Sequence, residues 1–190
     1  MALRTVNQAT SALRDQVHKG RGAALNLEGR FERWQREAFD DGWRDEQAGM
    51  EETGKLKTSI TEERAKSIIN SNDSPDIPFR YSLNPYRGCE HGCIYCFARP
   101  SHAYLGLSPG LDFETRLFAK VNAPELFRSE LSRAGYRSDV IAFGVNTDAY
   151  QPCEQKLNIT RRCLEVAAEF NQAVGLITKS SLIERDIDIL

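Results

Sequence analysis

Three short apolar stretches in the second half of the chain have the pattern of β-strands. Residues 139–145 are apolar after the first position and bounded by polar residues, which is typical of a central parallel strand covered on both faces. Residues 173–178 have the same character, and residues 79–84 form a shorter stretch that leads into a cysteine-containing loop. The pattern predicts three strands in this order.

The segments between the predicted strands have helical periodicity. Pro124 suits the first turn of a helix that extends to about Arg133. A second helix begins after Asn158 or Thr160, either of which is a suitable cap, and a further helix begins near Ser181. The apolar positions of the second helix follow the spacing of one helical face, which places Cys163 on its buried side: Ile159, Cys163, Val166, Ala167 and Phe170.

Alternating strands and helices predict an α/β fold with a parallel sheet and right-handed crossovers. Ligands of such sheets bind beyond the carboxyl ends of the strands. The cysteine loop follows the first predicted strand, residues 146–148 follow the second, and Lys179 follows the third. We therefore expect these polar groups to gather at one edge of the sheet.

The first part of the chain has weaker patterning. Residues 1–76 are predicted to be a mostly irregular, partly disordered arm, with a short helix at Thr61–Ile68 and a boundary in the turn-forming residues 70–78. Residues 77–190 form the second unit. Four aromatic side chains of the arm are predicted to dock it onto the main body: Phe31, Trp34, Phe39 and Trp43.

Composition and charge narrow the class of protein. The chain has 190 residues, of which 41% are hydrophobic and 27% charged, and its net charge is −2. These values are ordinary for a soluble domain, and they do not predict a basic surface for nucleic acid. The sequence contains no long apolar run and no apolar signal core. We therefore expect a cytoplasmic protein that does not insert into a membrane.

The most informative motif is a cluster of three cysteines, Cys89, Cys93 and Cys96, spaced C-x3-C-x2-C. In a reducing compartment, clustered cysteines more often bind metal than form disulfides. A structural zinc site needs four protein ligands, and in this loop only His91 or His102 could supply the fourth. The alternative is a [4Fe-4S] cluster with one iron that has no protein ligand. Cys153 and Cys163 stand apart and are predicted to be structural.

The stretch from Asn84 to Cys96, Asn-Pro-Tyr-Arg-Gly-Cys-Glu-His-Gly-Cys-Ile-Tyr-Cys, resembles the radical S-adenosylmethionine superfamily. Together with Asn-Thr-Asp at 146–148 and Thr-Lys-Ser at 178–180, it is similar to the branch related to spore photoproduct lyase. The resemblance covers residues 77–190. It implies a partial (β/α) barrel, of which about the first three β/α units are present after the irregular N-terminal arm.

The resemblance also implies roles for individual residues. Cys89, Cys93 and Cys96 would ligate three irons, and S-adenosylmethionine would bind the fourth. Tyr95 would lie against the adenine, and Lys179 would face the methionyl carboxylate or the ribose. Any of three residues would hold the methionyl amine: Asn146, Thr147 or Asp148.

The implied function is reductive cleavage of S-adenosylmethionine to a 5'-deoxyadenosyl radical, which abstracts hydrogen from an unknown substrate. This is lyase-like or oxidoreductase-like chemistry, and the implied partner is a reductant such as a flavodoxin or ferredoxin. Nucleic acid is a substrate class suggested only by the branch. A complete barrel takes about 250 residues, so we expect a truncated core that binds the cluster without efficient catalysis. The alternatives are a zinc-stabilised interaction module and an electron-transfer protein with Cys153 as fourth ligand.

Overall fold

The computed structural model describes residues 22–24, 27, 30–31 and 57–190. These residues form a mixed α/β fold with two small sheets, neither of which closes into a barrel. The strands are β1 (Ser59–Glu63), β2 (Ile69–Ser71), β3 (Tyr81–Leu83), β4 (Tyr86–Arg87), β5 (Arg116–Lys120), β6 (Ile141–Phe143) and β7 (Val174–Leu176). The α-helices are α1 (Leu111–Thr115), α2 (Ala123–Leu131), α3 (Glu154–Leu157) and α4 (Ile159–Glu169), and 3-10 helices span Arg99–Leu105 and Ser181–Asp186.

The three strands predicted from the apolar stretches are confirmed as parallel neighbours. They lie in a four-stranded sheet of order β2-β3-β6-β7, in which Leu83 pairs with Phe143, and Phe143 with Leu176. This register aligns the carboxyl ends of β3, β6 and β7 at one edge. Both sheets are mixed because β2 is antiparallel to β3 and β4 is antiparallel to β5.

The predicted helices α2 and α4 pack against each other and help to form the main core. Phe127 of α2 and Phe143 of β6 are fully buried, and their rings meet edge to face with centroids 6.0 Å apart. Cys163 and Cys153 are both buried in this core, as predicted. Phe170, which was assigned to the buried face of α4, is instead 39% exposed, because it lies at the end of the helix.

The first N–H groups of α4 are capped by Glu154, which was not predicted as a cap. Asn158 lies at the N-cap position with φ of 51° but makes no side-chain capping bond. The buried carboxylate of Glu154 accepts the free N–H groups of Thr160, at 3.0 Å, and Arg161, at 3.2 Å. A carboxylate at this position satisfies backbone donors and interacts favourably with the helix dipole.

The predicted helix at Thr61–Ile68 is wrong. Residues 59–63 form β1, which pairs in parallel with β5. The sequence reasoning assigned no element to 116–120, so the partner of β1 was missing, and a strand is stabilised by such non-local pairing rather than by its own residues. Residues 69–71, interpreted as the start of a turn-rich boundary, form β2. Residues before 77 therefore contribute two strands to the sheets.

The described residues of the arm run beside the cysteine loop. The backbone N–H of Ala23 donates to Glu114 Oε1 at 2.8 Å, and Leu27 O accepts from the hydroxyl of Ser108. The Phe31 ring lies 4.9 Å from the Tyr104 ring, measured between centroids. The other aromatics of the predicted docking segment, Trp34, Phe39 and Trp43, and most of the arm predicted to be partly disordered lie outside the described residues.

The helices are short. The longest helix that the structure describes is α4, with 11 residues, whereas a membrane-spanning helix needs about 20. None of the helices in the described residues is long and apolar enough to cross a membrane.

Candidate metal centre

The three clustered cysteines line one pocket beyond the carboxyl ends of β3, β6 and β7. Its volume is about 130 Å³. Its wall is formed by the loops after β6 and β7, as the parallel arrangement predicts, and by the cysteine loop, which begins after the short strand β4 rather than directly after β3. Besides the cysteines, the wall includes His91, Gly144, Asn146, Asp148, Thr178 and Lys179.

Cys89 is the most buried of the three thiols, and none of them forms a disulfide. Burial raises the pKa of Cys89 to about 11, although backbone N–H groups of His91 and Asp148 donate to its sulfur and act in the opposite direction. Burial disfavours a bare thiolate here, so this sulfur is suited to a bound cation that takes up its charge. N–H bonds to sulfur are also a feature that tunes iron-sulfur sites.

Asp148 ties the three loops together. Its Oδ1 accepts from the Thr178 hydroxyl at 2.7 Å and from the Tyr150 N–H at 2.8 Å. Its Oδ2 accepts from the Lys179 N–H at 2.8 Å and lies 3.3 Å from His91 Nε2. Burial acts to raise the pKa of Asp148, but these hydrogen bonds outweigh it and lower the pKa. The carboxylate therefore stays ionised and holds the loop after β7 against the cysteine loop.

Lys179 reaches across the pocket mouth to the cysteine loop. Its Nζ lies 2.9 Å from the Tyr95 hydroxyl and 3.1 Å from Cys93 Sγ. Hydrogen bonds to Tyr95 and to Cys93 raise the pKa of Lys179, so the amine carries a positive charge. It places that charge next to one of the three sulfurs, where an anionic group of a ligand would also be attracted.

The remaining predicted binding residues separate into two groups. Asn146 is exposed and lines the cysteine pocket. Thr147 is buried, donates its hydroxyl to Tyr86 O at 3.0 Å, and faces a neighbouring cavity instead. Tyr95 is 75% exposed beside Lys179 and does not form part of the pocket wall. The structure thus brings Asn146, Asp148 and Lys179 together with the cysteines, but not Thr147.

Arg99 and His102, which follow the last cysteine of the loop, are engaged inside the protein. Arg99 donates to Cys93 O at 2.9 Å and forms an ion pair with Glu114, whose side chain is fully buried. His102 is fully buried and its Nε2 lies 2.9 Å from Arg116 O, while burial lowers its pKa. His102 therefore does not supply a fourth metal ligand.

The contact between Arg99 and the Cys93 carbonyl predicts a stability effect. Arg99→Lys keeps the charge next to Glu114 but loses the planar fork that reaches Cys93 O through two nitrogens. We expect the free energy of unfolding to fall by about 1.5–3 kcal/mol, the range for a lost hydrogen bond to a charged group. Urea unfolding measures it, with the exposed Arg116→Lys as matched control. Equal stability of the two variants would contradict this role.

The donor set of the pocket is three thiols on one loop, which is the set that a [4Fe-4S] cluster with one open iron needs. Among the residues that the structure describes, no three His, Cys, Asp or Glu side chains converge closely enough to hold a metal ion. A cluster of four irons binds each thiolate at a different iron, so the sulfurs need not meet at one point. Cys153 is in the core and does not line the pocket, so three sulfurs are available there.

Comparisons with known proteins give relatives without an assigned function. Uncharacterized proteins of Mycobacterium tuberculosis and Mycobacterium bovis are 39% identical over 126 residues, which is 66% of this chain and 37% of each relative. An uncharacterized protein of Methanocaldococcus jannaschii is 29% identical over 134 residues, 70% of this chain and 47% of that protein. The chain spans less than half the length of these relatives. No protein-family model and no solved structure matches it.

Proposed function

We propose that this chain is an iron-sulfur protein of the radical S-adenosylmethionine type. The observation that carries the proposal is the pocket in which three thiols meet polar groups from the loops after the parallel strands β6 and β7. Cys89, Cys93 and Cys96 would hold a [4Fe-4S] cluster, which would supply the electron for cleavage of S-adenosylmethionine to a 5'-deoxyadenosyl radical, the species expected to abstract hydrogen from a substrate.

The side chains around the thiols have the chemistry that this ligand needs. Lys179 supplies a positive charge for the methionyl carboxylate, and the exposed amide of Asn146 supplies an acceptor for the methionyl amine. Asp148 is already occupied by Thr178 and by the Lys179 N–H, so we assign it to positioning the loop rather than to direct binding. Tyr95, at the mouth, is available to pack against the adenine.

We infer that β3, β6 and β7 are the first units of a partial (β/α) barrel. Their parallel order, the connecting helices α2 and α4, and the site at their carboxyl ends support this inference. The proposed partner is a one-electron reductant such as a flavodoxin or ferredoxin, because the cluster must be reduced before each cleavage. The proposed compartment is the cytoplasm, whose reducing conditions keep the thiols free.

Anaerobic reconstitution with iron and sulfide tests the proposal. We expect a brown protein with about four irons per chain that binds S-adenosylmethionine but, as expected for a truncated core, releases little 5'-deoxyadenosine and methionine when dithionite is added. Cluster formation is followed by visible absorption and metal analysis, and cleavage by mass spectrometry. The chain without added iron is the control.

The other functions give different results in the same experiment. A colourless, iron-free protein that retains tightly bound zinc would favour the zinc-stabilised module and reject the proposal. A stable cluster that neither binds nor cleaves S-adenosylmethionine would favour electron transfer.

A further inference from the structure

A second cavity lies beside the cysteine pocket and contains a buried amine. Its volume is about 230 Å³, and Asn146 lines both spaces. The wall is formed by side chains from β2, β3, β4 and β5 and by the 3-10 helix after the cysteine loop. The cavity is polar, and its lining includes Asn70, Ser82, Arg87, Ser101 and Lys120.

Lys120 is the feature that defines the chemistry of this cavity. It is 92% buried, since only 8% of its surface is exposed, at the end of β5. Its Nζ donates to Asn84 O at 2.8 Å. An ammonium has three donors, and the described residues provide this single acceptor. A buried charge with incomplete hydrogen bonding is costly unless a ligand completes it.

The charges around the amine leave the cavity positive. Arg87 of β4 also lines it, and the described lining contains no acidic residue. The acid that faces Lys120 is Glu63 of β1, but both of its oxygens accept from Arg87, each at 2.9 Å. Burial lowers the pKa of Lys120 to about 8, and Arg87 adds to this effect, whereas Glu63 of β1 and Cys163 of α4 oppose it. An anion in the cavity would stabilise the charged amine.

We propose that this cavity binds the phosphate group of a small phosphate monoester, with Lys120 at its base. An arginine fork recognises carboxylates and phosphates alike, but the fork of Arg87 is occupied by Glu63, which leaves Lys120 to bind the anion. Lysine acts as a point charge that suits a tetrahedral oxyanion, and the hydroxyls of Ser82 and Ser101 add donors from other directions. Because Arg87 is paired with Glu63, the selecting charge is that of Lys120, which attracts a dianionic monoester more strongly than a singly charged diester.

Because the phosphate cavity and the cysteine pocket share Asn146, a bound phosphate group would lie near the proposed cluster. If the proposed radical chemistry is correct, the phosphate would anchor the substrate within reach of the shared wall at Asn146. That role rests on the proposed function, whereas binding of phosphate does not. A chain that forms a cluster but binds no phosphate would reject only this inference.

Calorimetric titration of the full chain with methyl phosphate tests the site. We expect saturable binding that weakens at least tenfold in Lys120→Met, which removes the charge but keeps a long side chain. The exposed Lys156→Met is the matched control and should bind as the unaltered chain does. Circular dichroism verifies that each variant is folded.

A measurement on the unaltered chain keeps the test decisive if Lys120→Met does not fold. Methyl phosphate stays dianionic above neutral pH, while Lys120 loses its proton as the pH rises above its pKa. We therefore expect the affinity to fall more than tenfold from about pH 8 to about pH 10. Affinity independent of pH in this range, or an equal loss in Lys156→Met, would overturn the proposal. Equally tight binding of acetate or dimethyl phosphate would also overturn it.

Discussion

Replacing any one of Cys89, Cys93 and Cys96 by Ala is expected to abolish cluster binding after anaerobic reconstitution. Each thiol lines the same pocket, and neither Cys153 nor Cys163 lines it, so no other cysteine is placed there to substitute. Iron content should fall to the background of the unreconstituted chain, together with the visible absorption. Because Cys93 and Cys96 are less buried than Cys89, their replacement is expected to disturb folding less than Cys89→Ala.

The two remaining cysteines provide the controls for this result. Cys163→Ala removes a thiol from the core between α4 and the sheet and should leave the iron content unchanged once the folded fraction is measured. Cys153→Ala should also keep the cluster. Burial raises the pKa of Cys153 to about 12, which disfavours a free thiolate there. Loss of the cluster in Cys153→Ala would support the electron-transfer function with four protein ligands.

Asp148→Ala is expected to weaken the binding of S-adenosylmethionine by about 10–100-fold, the usual effect of removing a group that orients a metal-site ligand. The substitution frees the Thr178 hydroxyl and the Lys179 N–H from their shared acceptor. The loop after β7 then no longer holds Lys179 at the pocket mouth. The cysteines are untouched, so the cluster should still form. Calorimetric titration of the reconstituted protein measures the affinity.

Two variants separate this positioning role from a general loss of stability. Asp148→Asn keeps one side-chain carbonyl oxygen as an acceptor. It should therefore bind S-adenosylmethionine more tightly than Asp148→Ala does. Asp139→Ala removes another aspartate, whose carboxylate bonds locally to the Val140 N–H, and should change nothing. An Asp148→Ala protein that binds S-adenosylmethionine as tightly as the unaltered chain would show that the carboxylate does not position the site.

The site was predictable from the sequence where its residues follow strands with a clear apolar pattern. Residues 141–143 and 174–176 are strands of that kind, and the polar residues after them reach the same pocket. Lys179 and Asp148 were found by this rule. Thr147, adjacent to Asp148, satisfied the same rule but points to the other cavity, because neighbouring residues of a loop need not face the same side.

The sequences of β1 and β5 lack a continuous apolar stretch like those of the parallel strands. Leu117 and Ala119 of β5 are buried and alternate with more exposed residues, an alternation of the kind that strands show, and it was not used. β1 is largely exposed, so its sequence shows no buried face. Its conformation depends on backbone hydrogen bonds to β5, which lies more than 50 residues away in the sequence.

The sequence by itself determined that the fold combines α-helices and β-strands, the order of the three parallel strands and the motif of three cysteines on which the proposed function rests. Only the tertiary structure decided that Arg99 and Glu114 secure the Cys93 carbonyl, that Asp148 joins two loops to the cysteine loop, and that Lys120 is buried in a cavity beside them. The physical reason is the range of the interactions. Periodicity and motif spacing record local preferences, whereas the partners of a buried charge come from distant parts of the chain.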